Sequence, residues 1–273
     1  MGLLTIDETK CNREGLCVRE CPMTIIKLKD REGFPEIVPG GEEVCNDCGH
    51  CIAICPYGAL DHARVPRKNS PLIEKDLKIS ENQAVQFLRS RRSIRFFKDL
   101  PVEREKLQRL IEIGRYAPTG GNRQLVEWMV FTDPDTIKGV TEMTVEWMRE
   151  ALEKYPQLVP PYFPLIVRAW DKGYNSVTWS APVLVMASAP KEATSGMVDV
   201  SLALCYFELA APKLGLGTCW AGLVNGVMKQ SAAVRDAMGL PEGHPHYYSM
   251  MVGYPKRKYS RLPERKPPKI TWK

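Results

Sequence analysis

Cysteine spacing near the start of the chain is the clearest chemical signal in the sequence. Seven of the nine cysteines lie within residues 11–55. The second group of these reads C-x2-C-x2-C-x3-C-P and consists of Cys45, Cys48, Cys51, Cys55 and Pro56. Three thiolates at this spacing share one tight loop and can hold three irons of a cubane, which makes the run typical of iron–sulfur proteins. A zinc site uses a longer spacer and lacks the final Cys-Pro, and disulfides are rare in cytoplasmic chains.

An earlier group of cysteines repeats this run with one change. It reads C-x2-E-x2-C-x3-C-P and consists of Cys11, Glu14, Cys17, Cys21 and Pro22. Glu14 therefore stands where a second cysteine is expected. Two such runs in succession resemble the two-cluster bacterial ferredoxins. We predict a bacterial ferredoxin-like cluster domain over residues 1–65.

The ferredoxin resemblance implies that each run gives its last cysteine to the other cluster. One 4Fe–4S cluster would be ligated by Cys21, Cys45, Cys48 and Cys51. The other cluster would be ligated by Cys11, Cys17 and Cys55. Two alternatives remain for the type of this second cluster. It is either a 4Fe–4S cluster whose fourth iron is bound by the Glu14 carboxylate or water, or a 3Fe–4S cluster that lacks the fourth iron. A solvated surface position for Glu14 is a further interpretation.

His50 lies between Cys48 and Cys51. Because four thiolates are already available, we interpret His50 as a loop residue that tunes hydrogen bonds to sulfur rather than as a ligand. Cys205 and Cys219 stand apart from both runs in apolar surroundings, which is typical of buried, inert thiols.

Composition and charge limit the classes of protein that fit this chain. The 273 residues are 44% hydrophobic and 26% charged, which suits a globular protein of two domains. No apolar run is long enough to span a membrane and no secretory signal is present, so we expect a cytoplasmic protein without a membrane partner. The net charge is +6, but residues 1–66 carry 7 Lys and Arg against 11 Asp and Glu, which gives −4 there. The basic end lacks interleaved aromatic residues, so we expect no nucleic-acid partner.

The remaining chain predicts a second, larger domain. Residues 66–80 are polar and contain prolines, and we interpret them as a linker to a domain over residues 81–273. Ser80 and Gln83 form a capping-box pattern, which predicts the start of a helix. Apolar spacing predicts further helices at 102–114 and 197–211 and strands at 125–131, 182–189 and 247–252. These elements predict an α+β sandwich in which helices flank a mixed or antiparallel sheet.

Three clusters in this second domain could bind a phosphate-bearing heterocycle. The first is Arg91-Arg92-Ser93-Ile94-Arg95, because guanidinium groups and a hydroxyl match phosphate oxygens. The second is the turn at 118–124, whose amide side chains can pair with the edge of a heterocycle. The third is Gly253-Tyr254-Pro255-Lys256 with the basic tail to Arg265, which offers further cations for the same phosphate.

In this order and spacing, the clusters resemble the nitroreductase family of FMN enzymes over residues 80–273. The family pattern has R-x-S-x-R/K, then P-S/T-x-x-N-x-Q, then a G-Y-P strand end and a late arginine. The resemblance implies a nitroreductase-like α+β sandwich and FMN as the cofactor. The assigned FMN-binding residues are Arg91, Arg92, Ser93, Arg95, Pro118, Thr119, Asn122, Gln124, Ala221, Gly222, Lys256 and Arg265.

The resemblance also implies roles for several of these residues. Three of them, Arg91, Ser93 and Arg265, would hold the FMN phosphate. Arg95 would reach the pyrimidine side of the flavin. The amides of Asn122 and Gln124 would contact the ring or the ribityl chain, and the Ala221–Gly222 peptide would lie near flavin N5. We assign no catalytic side chain, because a flavin supplies the difficult chemistry itself.

Family members are dimers in which both subunits build each of two FMN sites, so we expect a homodimer. The resemblance places the helix that carries Val200, Leu204, Phe207 and Leu209 at the dimer interface. The segment 155–179 is rich in aromatic residues and prolines. It is interpreted either as a lid that stacks on a flat substrate or as a peripheral segment packed on the core.

Together these features predict an iron–sulfur flavoprotein oxidoreductase with FMN and two iron–sulfur clusters. We expect electrons to pass from the clusters to FMN and on to a nitroaromatic, quinone-like or other conjugated organic acceptor. The electron donor stays open between reduced ferredoxin or flavodoxin and NAD(P)H. An electron-transfer carrier whose flavin domain serves a protein partner is the alternative.

Overall fold

The computed structural model describes residues 2–30 and 33–273, which form two compact units. The first unit contains the described residues up to Ile79 together with Gly121–Arg123. The second unit contains Ser80–Gly120 and Gln124–Lys273. Within the described ranges, no helix has the length and apolar character needed to cross a membrane.

Short antiparallel strand pairs and single-turn helices build the first unit. Strand β1 (Leu4–Ile6) pairs with β4 (Leu60–His62), and β2 (Ile26–Leu28) pairs with β3 (Pro35–Ile37). The helices are α1 (Leu16–Arg19), α2 (Gly41–Val44) and α3 (His50–Ile54), followed by 3-10 turns at Arg67–Asn69 and Lys75–Leu77.

The core of the first unit is small and contains cysteine side chains. Its buried residues are Cys17, Ile25, Ile26, Cys51, Ile52 and Leu60. Domains with so little apolar core usually need disulfides or a bound metal for stability. All cysteines of the first unit are free thiols. The packing of this unit is therefore consistent with a requirement for a bound inorganic group.

A four-stranded antiparallel sheet forms the centre of the second unit. Its strands are β5 (Glu127–Phe131), β6 (Val183–Ala189), β7 (Gly217–Trp220) and β8 (His246–Gly253). They lie in the order β5-β6-β8-β7, and every neighbouring pair is antiparallel. In register, Val183 of β6 pairs with Val252 of β8.

Helices cover both faces of this sheet. They are α5 (Arg104–Gly114), α6 (Pro134–Lys154), α7 (Phe163–Asp171), α8 (Gly196–Ala210), α9 (Gly222–Met228) and α10 (Ala232–Ala237). Helix α4 (Glu81–Ser90) belongs to the same unit but has no buried residue. Shorter 3-10 turns occupy Gly120–Asn122 and Ala211–Leu214. Successive side chains of a strand point to opposite faces. Leu184 and Met186 of β6 accordingly pack with α6, α7, α9 and α10, whereas Val183 and Val185 pack with α5 and α8. The predicted α+β sandwich with flanking helices is confirmed.

The capping box at the start of α4 forms as the sequence predicts. The Gln83 backbone N–H donates to Ser80 Oγ at 3.3 Å, and the Ser80 N–H donates to Gln83 Oε1 at 2.7 Å. The helix predicted from residue 102 begins at Arg104, because Glu103 keeps an extended backbone as the N-cap.

Strand β7 is absent from the sequence-based prediction. Gly215 ends the 3-10 turn that precedes this strand, with a φ of 77°. The chain then enters a four-residue strand at Gly217. Such a short glycine-containing segment carries too little periodicity to be recognised.

Helix α8 packs on the sheet of its own unit through residues that the family resemblance associates with a dimer interface, and that interface stays a prediction. Three of the residues assigned to that interface, Val200, Leu204 and Phe207, are fully buried within the second unit. They pack on the sheet with Val183 and Val185. The helix is apolar on more than one face, so its sequence does not reveal which face meets the core.

We predict that Gly217→Ala destabilises the second unit by about 1–3 kcal/mol, as expected for overpacking. A Cβ at Gly217 would lie 2.5 Å from Ile94 Cγ1 and 2.9 Å from Pro255 Cγ. Gly226→Ala is the matched control, because a Cβ there meets nothing within 4 Å. Thermal unfolding of both variants checks the prediction. Equal melting temperatures would contradict the close approach of Ile94 to β7.

Candidate functional site

The structure groups the seven clustered cysteines of the first unit around two cavities. One cavity is lined by Cys21, Cys45, Cys48 and Cys51. It brings Cys21, from the first cysteine run, together with three cysteines of the second run. Cys21 lies in the loop between α1 and β2. Cys45 and Cys48 lie in the loop between α2 and α3, and Cys51 belongs to α3. Four thiols around one enclosed space match the donor set of a 4Fe–4S cluster.

The other cavity combines Cys55 with the cysteines of the first run. It is lined by Cys11, Cys17 and Cys55 together with Glu14 and Tyr57. The Tyr57 hydroxyl donates to Glu14 Oε1 at 2.8 Å, and the Ala59 N–H donates to Cys55 Sγ at 3.3 Å. Glu14 therefore lines the same cavity as three thiols, and its role as a ligand stays a prediction.

Burial disfavours the charged form of two thiols that line these cavities. It raises the pKa of Cys17, and it raises the pKa of Cys51 to about 11. Both thiols are therefore protonated near neutral pH in the apoprotein. Metal ligation requires the thiolate, so a cationic iron group must displace these protons when it binds.

The interpretation of His50 as a residue that tunes hydrogen bonds to sulfur stays a prediction. His50 is exposed at the start of α3, and it makes no hydrogen bond to a cysteine sulfur within the described residues. A different histidine, His62, is buried with its Nε2 atom 3.6 Å from Cys45 Sγ. His62 lies outside both cysteine runs, so their spacing gives no signal for it.

In the second unit, the arginine-rich segment lies along the edge strand β7. Ser93 forms a parallel bridge with Thr218, and the Ile94 N–H donates to the Thr218 carbonyl at 2.8 Å. Further along, the Lys256 N–H donates to the Phe96 carbonyl at 2.8 Å. Backbone pairing thus brings the first and third phosphate-binding candidates together.

Arg91 is held by a buried carboxylate. Its Nη1 atom lies 3.1 Å from Glu208 Oε1, and the Trp220 indole N–H donates to Glu208 Oε2 at 2.9 Å. Glu208 is 4% exposed. This pair satisfies both charges within the protein, and a phosphate-binding role for Arg91 stays a prediction.

Arg92 has a buried guanidinium that is incompletely paired. Its Nη1 atom donates to the Arg91 carbonyl at 2.9 Å. Its Nε and Nη2 atoms are buried without a hydrogen-bond partner among the described residues. Such a guanidinium is costly unless an anion accepts its remaining hydrogen bonds. Phosphate oxygens suit this geometry.

The other predicted cationic contacts are exposed. Arg95 lies over the Trp179 ring at 6.0 Å from its centroid, and Lys256 is exposed beyond β8. Arg265 is exposed in an extended segment, where its N–H donates to Glu264 Oε1. Their roles toward a phosphate or a flavin ring stay predictions.

The predicted amide-bearing turn is fixed by contacts of its own. In the second unit, the Gln124 N–H donates to Thr119 Oγ1 and the Gly120 N–H donates to Asp199 Oδ1, both at 3.0 Å. Pro118 is exposed beside them. Within the first unit, Asn122 Nδ2 donates to the Asn46 carbonyl at 2.9 Å. Within the described part of the second unit, no hydrogen bond joins Gln124 to the arginine-rich segment.

The Ala221–Gly222 peptide follows β7 directly. The Ala221 N–H donates to the Ser249 carbonyl at 2.9 Å, and Gly222 begins α9. Ser249 Oγ and Asn225 Oδ1 are buried nearby without partners among the described residues. Burial also raises the pKa of Cys219, which fits its interpretation as an inert thiol.

The aromatic segment at 155–179 contains both packed and exposed side chains. Phe163 and Val167 of α7 are buried in the core, where Phe163 packs edge-on against Trp147. Tyr162 is exposed. Phe163 therefore fits the interpretation of a segment packed on the core. A role for Tyr162 in stacking on a substrate stays a prediction.

Sequence reasoning missed the acidic residues that position this site. Asp199 and Glu208 are buried on α8, where they hold Gly120 and Arg91. The available signal was the presence of two carboxylates in a helix that is otherwise almost entirely apolar. A buried carboxylate requires a hydrogen-bonded partner, but the sequence does not identify that partner.

Comparisons with known proteins match the two units separately. The nitroreductase family model matches residues 88–254, and the 4Fe–4S dicluster domain model matches residues 9–59. A candidate NADH dehydrogenase/NAD(P)H nitroreductase of Archaeoglobus fulgidus is 25% identical over 174 residues, which cover 64% of this chain and 86% of that protein.

Two further similarities concern the second unit. The FMN reductase (NAD(P)H) of Bacillus subtilis is 25% identical over 185 residues, which cover 67% of this chain and 70% of that protein. The solved structure of a nitroreductase with bound FMN from Bacteroides fragilis has a TM-score of 0.56 at 20% identity. That similarity covers 71% of this chain and 98% of the other, and it shows the fold.

We predict opposite effects of Arg92→Met with and without a bound anion. In protein freed of small anions, the substitution raises the free energy of unfolding by about 1–3 kcal/mol, because it removes unpaired buried donors. Inorganic phosphate then raises the melting temperature of the wild-type protein but not of the variant. Arg89→Met is the control, because Arg89 is an exposed arginine on α4. Equal phosphate protection in all three proteins would contradict an anion site at Arg92.

Proposed function

Because the chain belongs to the nitroreductase family, we propose that it is an FMN-dependent iron–sulfur oxidoreductase. It passes electrons from its clusters to FMN and on to a nitroaromatic, quinone-like or other conjugated organic acceptor. The observation that carries the proposal is the buried, incompletely paired guanidinium of Arg92 on a segment held against β7. A phosphate-bearing cofactor supplies the anion that this group lacks.

The residues of the second unit fit the phosphate end of FMN. Arg92 donates its free Nε and Nη2 hydrogens to phosphate oxygens, and the Ser93 hydroxyl adds a further donor. Glu208 holds Arg91 in place and offsets one positive charge of the segment. Arg95, Lys256 and Arg265 add exposed cations that attract the phosphate.

The residues of the first unit fit two iron–sulfur clusters. Cys21, Cys45, Cys48 and Cys51 would hold one 4Fe–4S cluster. Cys11, Cys17 and Cys55 would hold the other cluster, which Glu14 or water would complete if a fourth iron is present. Free thiols grouped in these sets support the proposal.

Iron–sulfur clusters carry single electrons and FMN accepts two, so these groups supply the electron chemistry when they are bound. The protein contributes binding and electrostatics. The cysteine thiolates hold iron, and the arginine segment holds the phosphate. The buried side chains around Cys17 and Cys51 keep water away from the sulfur atoms.

A cofactor analysis of anaerobically purified protein tests the proposal. We predict a yellow-brown protein that contains FMN, iron and acid-labile sulfide. Cys45→Ser loses part of the iron, whereas the matched variant Cys205→Ser keeps it, because Cys205 lies outside both cavities. Colourless protein without sulfide or extractable FMN would contradict the proposed cofactors.

Turnover measurements then separate an enzyme from an electron carrier. We expect reduction of a nitroaromatic or a quinone when NAD(P)H or reduced ferredoxin supplies electrons. The two donors are assayed separately, because the chain itself does not distinguish them. Rapid electron exchange with a protein partner, but no turnover with any acceptor, would favour a carrier instead.

We also propose that the protein is a homodimer in which each FMN site uses both subunits. Within the second unit, Gln124 makes no hydrogen bond to the arginine-rich segment among the described residues. Both parts belong to the family pattern, so a second copy can supply the turn. Met197 and Val198, which are exposed at the start of α8, provide apolar surface for such contact.

Mixed dimers test this shared site. We predict that Arg92→Met and Gln124→Ala each lower the FMN content of their own homodimers. A heterodimer of the two variants, isolated through different affinity tags, recovers one FMN per dimer, because one of its two sites carries neither change. Differently tagged Arg92→Met dimers are the control. A heterodimer without FMN would show that each site comes from one subunit.

A further inference from the structure

His62 is a buried histidine of the first unit that the proposed function does not use. It ends strand β4, where its backbone pairs in register with Leu4 of β1. The residue is 3% exposed. Backbone pairing and burial therefore fix the position of the ring.

Two backbone donors determine which ring nitrogen carries the proton. The Arg64 N–H donates to His62 Nδ1 at 3.2 Å, and the Val65 N–H donates to the same atom at 3.1 Å. An Nδ1 atom that accepts hydrogen bonds carries no proton itself. The ring is therefore the neutral tautomer with its proton on Nε2.

The Nε2 proton has one well-placed acceptor. Nε2 lies 3.6 Å from Cys45 Sγ, which is hydrogen-bonding distance for the large sulfur atom. The Asp47 carboxylate is further away, at 3.9 Å from Nε2 to Oδ1. The same Oδ1 atom already accepts from Arg64 Nε at 2.7 Å. Sulfur is accordingly the preferred acceptor of the Nε2 proton.

The same geometry argues against His62 as a metal ligand. Ligand atoms of Cys45, Asp47 and His62 lie within 4.8 Å of one another, which is close enough for a metal site. However, a histidine binds a metal through a nitrogen lone pair. The Nδ1 lone pair is occupied by two backbone donors, and Nε2 carries the proton. The Arg64 guanidinium beside Asp47 also opposes a second cation.

Arg64 fixes the cysteine relative to the histidine. Its Nη2 atom donates to the Cys45 carbonyl at 3.2 Å and to the Glu42 carbonyl at 3.1 Å. The segment that follows β4 thus holds the Cys45 backbone through Arg64 and faces the Cys45 sulfur with His62. Two contacts from one short segment give the N–H···S geometry little freedom.

We propose that His62 raises the reduction potential of the cluster bound by Cys45 through an Nε2–H···Sγ hydrogen bond. The inference rests on the proposed cluster ligation. One-electron reduction adds negative charge to the cluster and its thiolates. A donor to Cys45 Sγ stabilises that charge more in the reduced form than in the oxidised form. Hydrogen bonds to sulfur are a general determinant of cluster potential.

Redox titrations of three variants test the proposal in the full-length protein. His62→Met removes the donor and replaces the imidazole with an apolar side chain of similar length. His62→Gln restores a donor, because its amide nitrogen is as many bonds from Cα as Nε2. His50→Gln is the matched control on an exposed histidine of the same unit. Dithionite is the reductant, and EPR signals monitor each cluster.

We expect His62→Met to lower the equilibrium constant for one-electron reduction of one cluster by about tenfold, or roughly 59 mV. The other cluster serves as an internal reference and stays unchanged. His62→Gln restores most of the potential, and His50→Gln has the wild-type value. An unchanged potential in His62→Met, or an equal loss in both His62 variants, overturns the proposal.

Pulsed EPR of the wild-type protein tests the hydrogen bond from His62 even if His62→Met fails to fold. With 15N-labelled histidine, pulsed EPR of the reduced cluster shows a weak nitrogen coupling that His62→Gln abolishes and His50→Gln retains. A strong coupling, as for a direct ligand, or no coupling overturns the proposal. Protein without labile sulfide would refute the proposed function as well, whereas intact clusters with a wild-type potential in His62→Met refute this inference alone.

Discussion

A charge removed from water must be paired, and both units of this chain bury groups that the polypeptide pairs incompletely. In the second unit, Glu208 pairs with Arg91, but the guanidinium of the adjacent Arg92 keeps two buried donors without a partner. In the first unit, burial keeps Cys17 and Cys51 protonated until a cation stabilises their thiolates. Under the proposed function, an anion would accept the remaining hydrogen bonds of Arg92, and cationic iron would stabilise the thiolates of the first unit.

The sequence predicted those features whose interacting residues lie close together along the chain. The cysteine runs predicted a cluster domain because iron–sulfur ligands recur at fixed spacing on one loop. The capping box at Ser80 formed because its two partners are three residues apart. Long apolar strands such as β6 were likewise recognisable, and the sheet predicted from them is confirmed. These elements carry their determinants within a few residues.

Residues whose roles depend on distant partners could not be assigned from sequence. Arg91 and Arg92 are adjacent and chemically identical, yet Arg91 pairs with a carboxylate 117 positions away whereas Arg92 stays incompletely paired. The tautomer of His62 depends on two local backbone donors, but its acceptor Cys45 lies 17 residues earlier. Helix α8 shows the same limit, because its apolar residues do not reveal which face the sheet covers. Tertiary contacts determine the pairing of the arginines, the acceptor of His62 and the buried face of α8.

Backbone strain adds an independent reason to regard the second unit as a binding scaffold. Gln124, Trp179 and Ser180 adopt left-handed φ angles of 53°, 56° and 51°. Such angles are uncommon for residues other than glycine, and they persist where surrounding contacts enforce them. Thr119 holds the backbone of Gln124, and Arg95 lies over the ring of Trp179. Gln124 and Trp179 therefore contact residues of the family's FMN-binding pattern, where a fixed backbone lowers the entropic cost of binding a rigid ligand.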